Sequence, residues 1–242
     1  MEMFRKKIDD IQQRTEIIIL PEMFSTGFSM NSKQLAETMD GTTVTWMKKI
    51  ASKKKIIITG SVIIKEDEKI FNRLVWMLPN GQWGYYNKRH RFGYAGEDQH
   101  YDAGDKRLIA SVKGWKINLQ VCYDLRFPVW ARQTISDLHE PEFDLLIYVA
   151  NWPERRSHAW KTLLQARAIE NQCYVAGVNR VGEDGNGIKY AGDSMIVDPL
   201  GEILITGNDG SIYTTTITKS HLNHVREKFP FLKDADRFQL KI

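Results

Sequence analysis

The sequence predicts an α/β fold, a four-layer α-β-β-α sandwich of two mixed sheets with helices outside. Two observations predict it: helical patterns recur between apolar strand patterns, and other strands are joined directly by tight turns. The 242 residues, 42% hydrophobic and 26% charged, are enough for one sizeable core. No linker rich in Pro, Gly or Ser divides the chain, so we expect one domain over residues 1–242.

The first half of the chain alternates helical and strand patterns and then forms a hairpin. The second helix ends in the lysine run 53–55, where cations suit the negative end of a helix. Asn80-Gly81, a pair favoured in tight turns, lies at the tip of the hairpin. In order, the predicted elements are helix 4–14, strand 17–20, helix 44–54, strand 56–64, and hairpin strands 71–78 and 83–86.

The second half begins with a strand in which apolar and polar side chains alternate, the pattern of a half-buried strand. Helices and strands then alternate again, and Pro199-Leu200-Gly201 turns the last two strands into a hairpin. The predicted elements are strand 115–121, helix 129–138, strand 143–149, helix 157–172, strand 173–178, and hairpin strands 194–197 and 202–205.

Cys122 lies where strand 115–121 ends and a polar turn begins, ahead of Pro128 in the first turn of a helix. A thiol on such a corner is held rigidly, and the positive end of the helix favours its thiolate form, so Cys122 is a candidate nucleophile. The alternative is core packing, because free cysteine is among the most buried residue types. Cys173, inside an apolar strand without a nearby charge, is interpreted as core packing.

Two other strand ends carry polar groups that a cysteine nucleophile requires. Glu22 follows the apolar run Ile17-Ile18-Ile19-Leu20, and Lys88 follows the predicted hairpin. Taken singly, Glu22 is also consistent with a solvated or turn-capping carboxylate, and Lys88 with a solvated surface charge. Only their combination with Cys122 indicates a catalytic site.

These three positions resemble the Glu-Lys-Cys triad of the nitrilase superfamily, the carbon-nitrogen hydrolases, in order and in spacing. The motifs are Pro-Glu-Met-Phe around Glu22, Asn-Lys-Arg-His around Lys88, and Val-Cys-Tyr-Asp-Leu-Arg-Phe-Pro around Cys122. The longer blocks are most similar to the bacterial omega-amidase branch, which hydrolyses side-chain amides of 2-oxoacids such as 2-oxoglutaramate and 2-oxosuccinamate. Those blocks are 150–153, 166–172, 179–182 and 192–194. The resemblance also implies the α-β-β-α sandwich and a homodimer.

The resemblance assigns a role to each group. Glu22 is the general base, Lys88 and the backbone N–H of Tyr123 stabilise the oxyanion, and Cys122 forms a thioester. Glu97 matches the family's second active-site glutamate and is expected to position water or substrate. The alternative for Glu97 is a loop carboxylate that neutralises Lys88 or Arg91.

Substrate recognition is assigned to the segment after strand 143–149. A 2-oxoacid amide carries a carboxylate, which Arg155 or Arg156 could bind through two parallel hydrogen bonds, with Trp152 as an apolar wall. The alternative is a solvated arginine pair at the start of a helix.

Two other classes of function stay open at this point. A papain-like hydrolase would need a histidine base, for which His90 is nearest to a motif, and a binding module would need no reactive cysteine. Within the superfamily, nitriles, small aliphatic amides and N-carbamoyl compounds are alternative substrates.

The composition limits the kinds of binding partner that we expect. The net charge of +4 is modest and the basic residues are spread along the chain, so no nucleic-acid partner is expected. Two cysteines do not form a disulfide framework, and no long apolar stretch or signal peptide pattern is present, which favours a cytoplasmic protein without a membrane partner. The chemistry requires no metal and no cofactor.

One departure from the family pattern concerns the beginning of the chain. Relatives start with an extra strand before the opening helix, so we expect this chain to lack the family's first strand. The loss of that strand would uncover apolar surface and unpaired backbone groups.

Overall fold

The computed structural model describes residues 1–134 and 140–240. Within this part of the chain the helices are α1 to α6: Glu2–Asp9, Ser32–Leu35, Thr42–Lys54, Pro128–Ala131, Ser157–Asn171 and Lys219–Lys228. The strands β1 to β6 are Ile17–Ile19, Ile57–Glu66, Lys69–Met77, Trp83–Asn87, Leu108–Val112 and Trp115–Val121. The strands β7 to β12 are Leu145–Ala150, Tyr174–Asn179, Val181–Glu183, Lys189–Ala191, Ser194–Val197 and Ile203–Gly207.

The strands form two large mixed sheets. One has the order β1-β2-β3-β4, with β1 and β2 parallel and the other pairs antiparallel. The other has the order β12-β11-β8-β7-β6-β5, in which β6, β7 and β8 are parallel. Strands β9 and β10 form a separate antiparallel ribbon. The predicted α/β sandwich of two mixed sheets is confirmed.

The core has three apolar layers, as a four-layer sandwich requires. The middle layer lies between the sheets, where Leu74 and Trp76 of β3 pack with Leu119 of β6 and Ile147 of β7. The outer layer on the four-stranded sheet is formed by α1 and α3, through residues that include Ile8, Val44 and Met47. The outer layer on the six-stranded sheet is formed by α5, through Trp160, Leu164 and Ala168.

Several boundaries differ from the prediction. Helix α1 ends at Asp9 rather than residue 14, and Ile8 is its only buried side chain. Strand β6 is buried on both faces rather than half-buried, since it lies inside the six-stranded sheet with layers on either side. The predicted helix 129–138 is observed over Pro128–Ala131, residues 132–134 are not helical, and 135–138 lie outside the described residues.

The lysine run closes helix α3 as predicted. Lys54 is the last helical residue, and Lys55 follows with a left-handed φ of 56°. Strand β1 forms one edge of its sheet, and a cavity of about 1110 Å³ runs along it toward the strands of the other sheet. None of the helices in the described part of the chain is both long and apolar enough to cross a membrane.

Candidate active site

Four strand ends from both sheets meet at one place. Glu22 comes shortly after β1, Lys88 directly after β4, Cys122 directly after β6 and Asn151 directly after β7. Strands β6 and β7 are parallel, with Val121 opposite Val149, so the turns after them are neighbours. Ligand sites in α/β proteins form at such carboxyl ends of parallel strands.

A buried ammonium group binds two buried carboxylates at this point. The Lys88 Nζ atom lies 3.0 Å from Oε1 of Glu22 and 2.8 Å from Oε2 of Glu97. All three side chains are at most 1% exposed. Burial lowers the pKa of Lys88, but the two carboxylates outweigh it and raise that pKa well above its usual value. Lys88 is therefore a permanently charged group.

Glu97, and not its neighbour Asp98, is the second carboxylate of the cluster. Glu97 is fully buried, begins the short 3-10 helix Glu97–Gln99, and also accepts a hydrogen bond from the backbone N–H of Phe92. Burial raises the pKa of Glu97 above its usual value, against the opposing effect of Lys88. The contact with Lys88 also matches the alternative of a neutralising carboxylate, since one side chain can serve both purposes.

Two asparagines that the sequence analysis did not assign hold Glu22 in place. The Asn72 amide donates hydrogen bonds to Glu22 Oε1 at 2.7 Å and to Glu97 Oε1 at 3.4 Å. The backbone N–H of Asn151 donates to Glu22 Oε2 at 2.8 Å, and its side-chain amide donates to the Glu22 carbonyl at 2.7 Å. In the sequence, Asn72 was recognisable as a polar residue within the largely apolar strand β3, and Asn151 was recognisable by its position at a strand end.

Cys122 begins the 3-10 helix Cys122–Arg126 with a φ of 46°, in the left-handed region. Burial raises the pKa of its thiol well above the usual value, and the negative charge of Glu22 raises it further, whereas Lys88 lowers it. The expectation that a helix end favours the thiolate is therefore wrong for the resting protein. Desolvation and the adjacent carboxylate outweigh the predicted effect of the helix after Pro128, which is the four-residue α4, and the thiol needs a base.

Tyr123, whose backbone N–H is the predicted oxyanion donor, lies in the first turn of the same 3-10 helix. The first N–H groups of a helix have no partner within it and are available to an anion. The Tyr123 ring packs edge-to-face against Phe92 and Phe127, with ring centroids 5.0 Å apart in both pairs. These contacts fix the residue that follows the thiol.

The structure separates the two candidate arginines. Both belong to the 3-10 helix Glu154–Arg156, but Arg155 is exposed, whereas Arg156 is half-buried with its guanidinium 5.1 Å from the Phe92 ring centroid. Burial lowers the pKa of Arg156, and the positive charge of Arg155 lowers it further, whereas the nearby Cys122 raises it. Arg156 is thus the half-buried member of the pair, and Cys122 contributes to its electrostatic environment.

Trp152 is buried and orients this segment. Its indole N–H donates a hydrogen bond to the Arg156 carbonyl at 2.8 Å, and its ring packs against Trp160. The guanidinium of Arg126, which the sequence analysis did not assign, lies 4.9 Å from the Trp152 ring centroid. Arg126 was recognisable only as the last residue of the turn that begins with Cys122. Trp152 therefore contacts the guanidinium of Arg126 and fixes the backbone of Arg156.

The histidine alternative has no geometric support at His90. The side chain that bonds the Cys122 thiol is Glu22, whereas Nδ1 of His90 lies 2.8 Å from Asp124 and the His90 ring stacks on Phe127 with centroids 3.9 Å apart. Cys173 is fully buried within the layer formed by α5, as its interpretation as core packing requires. Across residues 1–134 and 140–240, no three His, Cys, Asp or Glu side chains form a group that could hold a metal ion.

Comparisons with known proteins identify the family of the chain. The family model described as carbon-nitrogen hydrolase matches residues 5–227. The chain is 44% identical to omega-amidase YafV of Escherichia coli K12 over 239 residues, 98% of this chain and 90% of that protein. It is 32% identical to 2-oxoglutaramate amidase of Bacillus subtilis 168 over 231 residues, 94% of this chain and 87% of that protein.

A solved structure agrees over almost the whole chain. It is a CN-hydrolase superfamily protein of Xanthomonas campestris with an arsenic adduct in its active site, and it matches with a TM-score of 0.96 and 45% identity. The match covers 99% of this chain and 92% of that one. On the fold, the family match and these relatives together, the chain belongs to the carbon-nitrogen hydrolase family.

Proposed function

We propose that this protein is an omega-amidase, which hydrolyses the side-chain amide of 2-oxoacids such as 2-oxoglutaramate and 2-oxosuccinamate through a cysteine thioester. The products are the 2-oxo dicarboxylate and ammonia. The observation that carries the proposal is the buried cluster of Glu22, Lys88 and Glu97 beside Cys122. The names of the E. coli and B. subtilis relatives support the substrate class.

In the first half-reaction, Glu22 accepts the proton of the Cys122 thiol as the sulfur attacks the amide carbon. This concerted transfer matches a thiol whose pKa is raised by burial and by Glu22 itself. Lys88 and the backbone N–H of Tyr123 stabilise the oxyanion of the tetrahedral intermediate. The carbon–nitrogen bond then breaks, Glu22 returns its proton to the leaving nitrogen, and ammonia departs.

In the second half-reaction, water hydrolyses the thioester. Glu22 accepts a proton from the attacking water, the carbon–sulfur bond breaks, and the proton passes to the Cys122 sulfur. Glu97 and Asn72 hold Lys88 and Glu22 in place during both steps, because Glu97 accepts a hydrogen bond from Lys88 and Asn72 donates one to Glu22. The cluster is thereby returned to its starting protonation state.

The substrate's own carboxylate is bound on the side of Trp152. Two positive charges lie on this side of the site: Arg126 is exposed and lies over the Trp152 ring, and Arg156 is half-buried and lies over the Phe92 ring. None of the carboxylates within the described ranges forms an ion pair with Arg156, which leaves its guanidinium for an anionic ligand. A neutral amide would leave these charges uncompensated, so an acidic amide is favoured.

A screen of ammonia release tests the proposal. The substrates are 2-oxoglutaramate, 2-oxosuccinamate, simple aliphatic amides, nitriles and N-carbamoyl amino acids, each with the wild type and with Cys122→Ala as the blank. We expect the highest kcat/KM for the two 2-oxoacid amides. A higher kcat/KM for a nitrile, a carbamoyl compound or an uncharged amide would contradict the proposed substrate class. The proposed thioester chemistry would still stand.

We further propose that the protein is a cytoplasmic homodimer that acts on small-molecule amides, with neither nucleic acid nor membrane as a partner. The family resemblance supports the dimer, and two free cysteines suit a reducing compartment. Light scattering on the purified protein checks the assembly, with a mass near twice 28.1 kDa as the expected result.

A further inference from the structure

A buried carboxylate with no role in the chemistry above connects the turn after β4 to the turn after β6. Asp124 is fully buried, and its two oxygens accept four hydrogen bonds. Oδ2 accepts from the Tyr86 hydroxyl at 2.8 Å and from the backbone N–H of Val121 at 3.0 Å. Oδ1 lies 2.9 Å from the backbone nitrogen of His90 and 2.8 Å from its ring Nδ1.

Tyr86 extends the same network. Besides donating to Asp124, its hydroxyl oxygen accepts hydrogen bonds from the backbone N–H of Arg89 at 3.1 Å and from the indole N–H of Trp130 at 2.9 Å. The Tyr86 side chain is 1% exposed, so water does not compete for these bonds. The network therefore has fixed partners on strand β4, on the turn after it and on helix α4.

These bonds hold the residues on either side of the proposed chemistry. Val121 precedes Cys122, and His90 is two residues beyond Lys88. A left-handed φ such as that of Cys122 persists only where the surrounding structure enforces it. We propose that Asp124 is a positioning residue that fixes the thiol of Cys122 relative to the ammonium of Lys88. The inference rests on the proposed function, which assigns those two groups their complementary roles.

Asp124→Asn tests the proposal with almost no change in volume. An amide NH2 replaces one acceptor oxygen and cannot accept the N–H and O–H donors that face it. We expect kcat for 2-oxoglutaramate to fall about a hundredfold, the cost of a misplacement of about 1 Å, while KM changes by less than about threefold. Tyr86→Phe, which removes only a hydroxyl, should lower kcat about tenfold through the same network.

Asp144→Asn is the matched control. Asp144 is also a buried carboxylate that accepts a backbone N–H, that of Lys116, and binds two cations, but it lies at the opposite end of the β6 and β7 pair. We expect Asp144→Asn to lose thermal stability and to keep kcat within about twofold. Unchanged kcat in both Asp124→Asn and Tyr86→Phe would overturn the proposal. So would an equal loss of kcat in Asp144→Asn, because reduced stability would then explain the effect.

Alkylation of Cys122 by iodoacetamide separates this inference from the proposed function, because it needs no substrate. If the wild type hydrolyses none of the amides, the proposed function fails and the alkylation rate still tests the network. Faster alkylation in Asp124→Asn but not in Asp144→Asn would show that Asp124 keeps the thiol in its desolvated position. Identical rates in the three proteins would contradict the positioning role.

Discussion

At the scale of single residues, two opposite charges act on the thiol. Glu22 raises the pKa of Cys122 and Lys88 lowers it, while burial has the largest effect. Glu22 therefore makes the resting thiol less acidic, and in the proposed mechanism the same carboxylate removes the thiol proton when substrate is attacked.

Replacing the two partners should move the thiol pKa in opposite directions. Glu22→Gln removes a negative charge and should lower that pKa, whereas Lys88→Met removes a positive charge and should raise it. Both variants should lose at least about a hundredfold in kcat, through loss of the base and of the oxyanion donor respectively. The pH dependence of Cys122 alkylation measures the pKa values. Shifts of the same sign would contradict this electrostatic description.

The specificity prediction now applies to one arginine. Arg156→Met should weaken use of 2-oxoglutaramate by about 2 to 5 kcal/mol in kcat/KM, the range for removing one partner of a buried charge pair. Arg155→Met is the control, since Arg155 is exposed and should tolerate the change. An uncharged short amide should be almost unaffected in both. Equal losses on charged and uncharged amides in Arg156→Met would exclude a carboxylate-binding role.

The sequence motifs indicated which residues meet but not how they are held. Glu22, Lys88 and Cys122 were identifiable because each occupies a strand end. Asn72 was not, because its role depends on which face of β3 points toward Glu22, and that follows from the register between strands. Arg155 and Arg156 were equivalent in sequence and differ only in burial.

At the scale of elements, the loop that carries Glu97 packs tightly against the end of β4. A Cβ atom at Gly104 would lie 2.0 Å from the Asn87 carbonyl oxygen, and the Gly104 N–H donates to the Lys88 carbonyl at 2.9 Å. Backbone atoms cannot yield to such a contact without displacing the loop. The glycine thus sets the distance between the loop and the strand end that precedes Lys88.

Gly104→Ala should displace the loop and loosen the contact of Glu97 with Lys88. We expect a loss of about 1 to 3 kcal/mol in stability and of about tenfold or more in kcat. Gly185→Ala is the control, because a Cβ atom there meets open space and the residue has no positive φ. Thermal unfolding and steady-state kinetics measure both effects. Full activity in Gly104→Ala would show that the loop adapts without moving Glu97.

Elements with strong patterns were predictable, and short pairings were not. Strand β6 has the predicted bounds because alternation and the polar turn mark both its ends. The hairpin of β2 and β3 was not predicted, because its tight turn lacks an Asn-Gly pair and instead contains Asp67 in a left-handed conformation. Strand β5 and the ribbon of β9 and β10 were not predicted, and the three-residue strands of the ribbon are too short to show a period.

For the molecule as a whole, the buried charges couple folding to pH. Lys88 is the main group that lowers the pKa of Glu97 against the effect of burial. Without it, that pKa rises further. A carboxyl with a raised folded pKa stabilises the fold fully below its unfolded pKa, near 4.3, and loses that contribution as pH rises through the folded value.

Lys88→Met should therefore be destabilised most at neutral and alkaline pH. We expect a loss of about 3 to 5 kcal/mol there, the cost of leaving buried carboxylates without their partner. The difference from wild type should shrink as the pH falls toward 5, as thermal unfolding over a pH series can show. Lys49→Met, an exposed lysine of α3, should keep a constant small difference. A stability difference between Lys88→Met and wild type that grows as the pH falls would contradict the predicted pH dependence.

The layered architecture could be predicted because it follows from the order of helices and strands. The residues of each strand that face the middle core could not be predicted from the sequence, since strands such as β2 and β7 are buried on both faces. Periodicity does not distinguish the two faces of such a strand. The sandwich was therefore predicted as a class of fold, and its registers required the structure.

The left-handed backbone at Cys122 makes the enzyme's reactive residue a point of intrinsic weakness in its own fold. Glycine adopts this φ without penalty, so Cys122→Gly should be more stable than Cys122→Ala by about 1 kcal/mol, although both lack the thiol and neither turns over substrate. At Cys173, which has no positive φ, the order should reverse, with the alanine variant the more stable and still active. Thermal unfolding of the four variants measures both differences. Under the proposed function, selection for stability alone would disfavour a cysteine at this corner, and selection for turnover would keep it.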